Sequence, residues 1–390
     1  MKSTWKVYVL ALISFLVGTS NYIISGILDR IAETLGTSVA AAGQLITVYS
    51  LAYAVGTPIL MALTAKMDRR KLLLYSLGIF IAANLLTFIL SGFGFFIAAR
   101  IVTALGAGVV TVNALSIAAK IAPQGKQASA IANVTMGITA SLIIGVPLGR
   151  MVALAFGWKA VFLAIAIVGG LAMLVIAALI PRLQGDKPVP LIKQFALLKK
   201  PQVLVALAIT FFWLGGYSLA YTYLSPFLLE ATHLNESLIS AALFVFGVAS
   251  LIGSKVGGYS ADKRGIKYTL VSGMMLHVIS LILLSLVGQS VIAVFAILIL
   301  WSFSAWSSAP AQQFNLVSLV PESSGVMLSL NSSMMQLAMA VGAGIGGVIV
   351  NRVSLSSITW FGVLGVLIAI IAVFALSSMA SRHSVVQSAD

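Results

Sequence analysis

The sequence predicts an all-α integral membrane protein, with twelve transmembrane helices in two pseudo-symmetric six-helix bundles. Three observations predict it. The 390 residues are 60% hydrophobic and 8% charged, whereas a soluble domain carries about 25% charged residues. Apolar runs of about 20 residues, long enough to cross a hydrocarbon core of about 30 Å as helix, recur along the whole chain. Two basic knots, "MALTAKMDRRKL" (Met61 to Leu72) and "GGYSADKRGIKY" (Gly257 to Tyr268), occupy matching places half a chain apart. A barrel is excluded, because the runs lack the alternation of lipid-facing strands.

Span 1 lies near Val7–Leu28. It is too long for a signal peptide, lacks a small-x-small cleavage site and is followed by Asp29-Arg30. Spans 2 and 3, near Ala42–Ala65 and Leu72–Ser91, flank the first basic knot. Spans 4, 5 and 6 lie near Phe95–Ala119, Gln127–Gly149 and Ala160–Ile180. The one long polar connection, Pro181 to Gln202, carries four prolines and five bases. It divides the chain into 1–181, a linker 182–201, and 202–390. Spans 7 and 8, near Val203–Leu229 and Ser237–Ser260, lead to the second knot. Spans 9 to 12 follow near Tyr268–Val287, Val291–Leu316, Gly325–Val350 and Ser356–Ala380, with a short gap around Gly288–Ser290.

The net charge of +14 raises the possibility of nucleic acid, but its placement removes it. Eighteen of the 23 bases fall at the amino terminus, in the 2–3, 4–5 and 8–9 loops, in the linker and in the tail, all on one side of a twelve-span threading. Arg30, Arg150, Lys159 and Arg352 fall in loops on the other side, and Arg100 lies inside span 4. The positive-inside rule then places both termini and the linker in the cytoplasm. There is no cysteine, and the three histidines (His233, His277, His383) have neither metal-ligand spacing nor a triad arrangement. No Walker lysine loop is present, so ATP hydrolysis is excluded. "GAGIGG" (Gly342 to Gly347) fits a dinucleotide fingerprint but has no strand before it, and Gly342 with Gly346 reads as a helix-packing pair. No enzyme activity, cofactor, metal or nucleic-acid partner is expected.

The two halves echo each other at an offset of 196 residues, which places Ala65 on Ala261 and Lys66 on Asp262; Pro123 likewise falls opposite Pro321. Repeated halves around a midplane site are a common plan of secondary transporters. "GGYSADKRGIK" resembles the loop pattern of the major facilitator superfamily, with its small residues on Gly258 and Gly265 and its acid on Asp262. The resemblance implies that the glycines allow close helix packing and that the acid caps and pairs. The first copy departs from the pattern, with Lys66 at the acid's place, and Asp68 and Arg70 become its gating candidates. "GITASLIIGVPLG" (Gly137 to Gly149, with Gly145, Pro147 and Gly149) and "RIVTALGAG" (Arg100 to Gly108) resemble motifs of twelve-helix drug:proton antiporters. "AGQLITVYSLAYAVGTPIL", "GVPLG" and "SAPAQQ" are similar to bacterial purine-efflux and arabinose- or sugar-efflux-like exporters.

What this resemblance implies is a monomeric inner-membrane exporter of a small organic molecule (a purine-like compound, a sugar or an amphipathic drug). It would work by alternating access, with protons as the second partner. An importer or an uncoupled facilitator of the same fold is the closest alternative. A channel or a transport-dead receptor is weaker, since no ring of repeated pore residues and no added sensing domain is present.

Candidate residues follow from helical spacing. Ser14, Gly18, Asn21, Ser25 and Asp29 form one polar stripe on span 1, which lines a cavity or packs helices. Asn21 and Ser25 are assigned to substrate. Arg100 is the one base well inside a predicted span, and it either faces protein or snorkels. All nine acids lie at span ends or in loops, and relatives in this exporter group often carry a span 1 carboxylate where Asn21 stands. An amide carries no proton, so Asp29 is the expected proton carrier, with Arg100 as its tuning partner. Trp213, Tyr217 and Tyr221 at i, i+4, i+8 on span 7, with Trp301, Trp306, Gln312 and Gln313 on span 10, suit a flat uncharged ligand. Aromatic belts at the membrane interface are the competing explanation. Trp213, Tyr217, Trp301 and Gln312 are taken as the substrate contacts. His277 is expected to be a satisfied helix–helix contact.

Overall fold

Each apolar run is a helix in the computed structural model, which describes residues 2–122, 127–185, 196–232, 234–287, 290–320 and 324–387. Twelve helices are long and apolar enough to cross a membrane, as predicted, and all regular structure among the described residues is helical. His233, the Pro123 and Pro321 pair, the acids Asp186, Glu322 and Asp390, and linker residues 186–195 lie outside the described residues.

The chain divides into two compact units, Met1–Val189 with Ser237–Gly247, and Pro190–Glu236 with Val248–Asp390. In the first, span 1 (Lys2–Gly26) packs on spans 4, 5 and 6, span 3 (Arg69–Ile89) on spans 4 and 6, and span 2 (Val39–Leu63) on span 4 (Phe93–Ile121). The second unit repeats the pattern. Span 7 (Pro201–Thr222) packs on spans 10, 11 and 12, and span 9 (Ile266–Leu286) on spans 10 and 12. The repeat reaches single residues. Span 1 breaks at Ile27 (φ −130°, ψ 20°) and resumes as a short helix, Leu28–Thr34. Span 7 breaks at Tyr223 (φ −105°, ψ 16°) and resumes as Leu224–Glu230.

Two boundaries differ from the sequence expectation. Span 5 does not stop at Gly149. It runs as Gln127–Ala140, a π-turn at Ser141–Gly145, and Val146–Phe156. Pro147 has no N–H to continue an α-helical ladder, and the wider turn just before it absorbs the mismatch. Arg150 is therefore helical and fully buried, not a loop base. The second knot is not a loop either. Span 8 continues through Asp262 and Lys263 to Arg264, and Gly265 alone, at φ +86°, turns the chain into span 9. Bases in a last helical turn suit the negative end of the helix dipole, so the charges extend the helix instead of ending it.

The first knot is a true turn. Asp68 caps span 3, with Oδ1 accepting from the Lys71 N–H at 2.9 Å and Oδ2 from the Leu183 N–H at 2.9 Å. The Arg69 N–H donates to the Leu183 carbonyl at 2.8 Å, and Lys120 Nζ to the Gln184 carbonyl at 3.0 Å. Arg70 donates to the Ala177 carbonyl. The start of the linker is thus stitched to the knot.

Candidate functional site

In the first unit, the glycine-proline motif is a seam. A Cβ on Gly137 would run into the Ala11 carbonyl, one on Gly145 into Thr19, and one on Gly149 into Ile23; Ser141 in turn fills the space left by Gly18. Small residues every fourth position therefore let span 5 lie directly on span 1. Of the five residues of the span 1 stripe, Gly18 belongs to this packing, and Ser14 is fully buried.

The seam ends in a charge pair. Arg150 Nη1 and Nη2 donate to Asp29 Oδ1 and Oδ2 at 2.9 and 3.1 Å, and Nη1 also donates to the Gly26 carbonyl. The Arg150 side chain is 0% exposed and that of Asp29 12%. The break at Ile27 explains the third contact, because it frees the last carbonyl of span 1. Arg30 Nε stands 3.9 Å from Asp29 and Arg30 also pairs with Glu33 at 3.1 Å. The expected partnership of Asp29 with Arg100 is therefore corrected. Asp29 sits beyond the break, off the continuous stripe, and Arg150 holds it.

Arg100 is buried, 1% exposed, so it does not snorkel. Its Nη1 donates to the Ser20 carbonyl at 2.8 Å and its Cζ lies 4.1 Å from the Tyr49 ring centroid. The Ser20 hydroxyl donates to Asn84 Oδ1 at 3.1 Å. Asn21, next along, is 8% exposed with no side-chain hydrogen bond among the described residues; Ser25 is 6% exposed and likewise unbonded. Tyr49 and Tyr53 stand 6.3 Å apart. The i, i+4 spacing used on span 7 would have found this pair on span 2.

In the second unit the aromatics converge. Tyr217 and Tyr221 stack at 5.2 Å and 13°, Trp301 lies 5.8 Å and Trp306 6.0 Å from Tyr217, and Trp306 Nε1 donates to the Tyr217 hydroxyl at 3.4 Å. Trp213 is buried and its indole N–H has no partner among the described residues. Two substrate candidates occupy other posts. Trp301 is 0% exposed and donates to His277 Nε2 at 2.8 Å, so His277 joins two helices, but its buried Nδ1 has no partner among the described residues and the imidazole is only half satisfied. Gln312 Nε2 donates to the Ala206 carbonyl at 2.6 Å and Thr210 at 2.9 Å, while its Oε1 accepts from Asn315 at 3.2 Å. Thr210 donates to Asn331 at 2.8 Å. With both donors used, Gln312 ties spans 7, 10 and 11 together and has no donor left for a ligand in this arrangement.

The second knot also needs a correction by one residue. A Cβ on Gly258 would meet nothing nearer than Pro310 at 3.9 Å, whereas Cβ atoms on Gly253 and Gly257 would strike the Phe303 and Ser307 backbones. Gly257 is the packing glycine, and Gly258 sits one step round the helix. Asp262 is exposed and caps nothing, since Gly265 precedes span 9 without a side-chain cap. Lys66 is exposed in the turn. Gly342 and Gly346 do pack, against Gly215 and Tyr223.

Comparison with known proteins agrees with this architecture. A family model described as Major Facilitator Superfamily matches residues 10–343. The chain belongs to the major facilitator superfamily. It is 66% identical, over 94% of both chains, to the uncharacterized MFS-type transporter YbcL of Bacillus subtilis (strain 168). It is 30% identical, over 90% of both, to the inner membrane transport protein YdhP of Escherichia coli (strain K12). The fold is that of a bacterial homolog of the human lysosomal transporter Spinster, crystallised inward-facing and unoccupied, with a TM-score of 0.78 at 17% identity over 97% of both chains. As a member of this superfamily the chain is a multi-pass inner-membrane transporter, and its partners are a small-molecule substrate and the lipid bilayer.

Proposed function

We propose that this transporter exports a small organic molecule (a purine-like compound, a sugar or an amphipathic drug) by alternating access of 1–181 and 202–390. It acts as a monomer, in exchange for protons, and catalyses no chemical conversion. The observation that carries the substrate reading is the span 7 aromatic row. Tyr217 stacks on Tyr221, and beside them the Trp213 indole holds a buried N–H with no acceptor among the described residues. Stacking area plus one unused donor suits a planar ligand with an edge acceptor. Replacing Trp213 or Tyr217 with alanine should weaken binding by ~1–3 kcal/mol, the scale of stacking lost at nucleic-acid sites. Counterflow in vesicles with purines, sugars and cationic dyes reads this directly. Unchanged exchange of every transported compound in both variants would return the rings to packing.

For coupling, Asp29 is the proposed proton carrier and Arg150 its counter-ion. Proton-driven uptake in vesicles should fall in Asp29→Asn, and full drive surviving that change would remove the assignment. An uncoupled facilitator is the second reading. It is favoured by the amide at Asn21, which places no carboxylate beside Arg100, and a gain of drive only in Asn21→Glu would establish it. The distribution of bases supports cytoplasmic termini. Single cysteines at Ser3, Gln184 and Ser388, free of background in a cysteine-less chain, should resist an impermeant thiol reagent in right-side-out cells.

A further inference from the structure

Arg100 is a buried cation without an anion among the described residues. Of the acids in the first unit that the structure describes, Asp29 is held by Arg150, Glu33 pairs with Arg30, and Asp68 caps span 3. Arg100 itself makes one hydrogen bond, Nη1 to the Ser20 carbonyl, and one ring contact with Tyr49. Its Nε and Nη2 have no partner among the described residues. These two nitrogens form one edge of the guanidinium, with two parallel N–H bonds at the spacing of a carboxylate's oxygens. Arg150, in the same unit, makes the same kind of fork-to-fork pair with Asp29 through its other edge.

The groups around Arg100 are neutral. The Tyr49 hydroxyl is buried and unpartnered, and the amide of Asn21, the residue after the Ser20 that Arg100 grips, bonds nothing among the described residues. An isolated charge in an apolar interior is strongly unfavourable unless something pairs with it. A positive fork beside the unused Tyr49 hydroxyl asks for an acceptor-rich anion, and Asn21, one residue along span 1 from the carbonyl that Arg100 grips, is a further unused donor.

We propose that Arg100, with Tyr49 and Asn21, forms a site in the first unit for the carboxylate group of a small organic anion. The carboxylate takes the free Nε/Nη2 edge bidentately, and the Tyr49 hydroxyl and the Asn21 amide donate to it. The proposal rests on the transport reading only in making this anion cargo. It adds a negative group to a substrate whose aromatic contacts, taken alone, suit an uncharged flat body.

The test uses the full-length protein in lipid nanodiscs and follows thermal unfolding. The probes are 4-hydroxybenzoate and gluconate, their uncharged amides, and chloride and inorganic phosphate as simple anions. At least one carboxylate should raise the melting temperature while its amide does not. Arg100→Met should abolish that protection. Arg100→Lys should weaken it at least about tenfold, because an ammonium keeps the charge but loses the fork. Ligand-free R100M should melt no lower than the parent, since the change removes an uncompensated charge. Asn21→Ala, which touches no charge, should weaken protection with ligand-free melting intact. No protection by either carboxylate, protection matched by the amides, by chloride or phosphate, or by R100M, or a ligand-free R100M that melts well below the parent would each overturn the site. These failures are separate from those of the aromatic row, whose variants leave Arg100 untouched.

Discussion

The ends of spans 1 and 7 are the same joint built twice. Each helix breaks at one residue, Ile27 or Tyr223, and resumes as a seven-residue helix. Each lies against glycines of a partner span, Gly145 and Gly149 on span 5, Gly342 and Gly346 on span 11. The fastening differs. In the first unit Arg150 grips Asp29 and the Gly26 carbonyl; in the second the Tyr223 hydroxyl donates to the Ala343 carbonyl at 2.9 Å. One joint is charged and the other neutral. Glycine spacing thus suffices to bring the helices together, and the charge pair is an addition particular to the first unit.

The glycines should show the largest effects, and similar ones in both units. Valine at Gly137 or at Gly342 would drive its side chain into a backbone carbonyl, of Ala11 or Gly215, and neither backbone can retreat without unpicking its helix. Each should cost more than about 4 kcal/mol, the range of severe overpacking, read as loss of folded protein in membranes. Gly258→Ala, by contrast, should be silent.

Next come the fastenings. Arg150→Met leaves a mostly buried carboxylate with only the more distant Arg30, at 3.9 Å, and should cost up to about 3–5 kcal/mol. Adding Asn at Asp29 in that background should recover most of the loss, measured by thermal unfolding. If Arg150→Met alone were neutral, the charged joint would be ornamental. The smallest effect belongs to Tyr223→Phe, about 0.6 kcal/mol for one hydrogen bond between membrane helices. A larger drop there would mean that the neutral joint is the stronger of the two.

The fold was legible because a membrane imposes one rule on every span, about 20 apolar residues of helix. The site was legible only where a residue's neighbours lie on its own helix. The row of Trp213, Tyr217 and Tyr221 was visible from spacing alone, and so was the Gly342 and Gly346 pair. The partner of Asp29 was not. Pro147 and Gly149 appeared to close span 5, which cast Arg150 as a loop base, and nothing in a linear chain shows that a π-turn carries the helix onward. Gly257 was mistaken for Gly258 because a loop motif fixes a position in sequence, not a phase round a helix. Trp301 and Gln312 looked available to a ligand because their hydrogen-bond partners, His277 on span 9 and Thr210 on span 7, are distant in the chain.

The π-turn at Ser141–Gly145 has one more consequence, for insertions and deletions. A π-turn holds one residue more than the α-helical turn it replaces, so removing a single residue there, Ile144 for instance, would heal the helix into regular α form. Because the turn absorbs its extra residue locally, the helix after it would keep its place, and Arg150 would still face Asp29. The same deletion in the regular helix between Gly145 and Arg150 would instead rotate Arg150 by about 100° and draw it back by about 1.5 Å. The charged joint therefore tolerates a one-residue gap inside the π-turn of a homologous chain, and not one just after it.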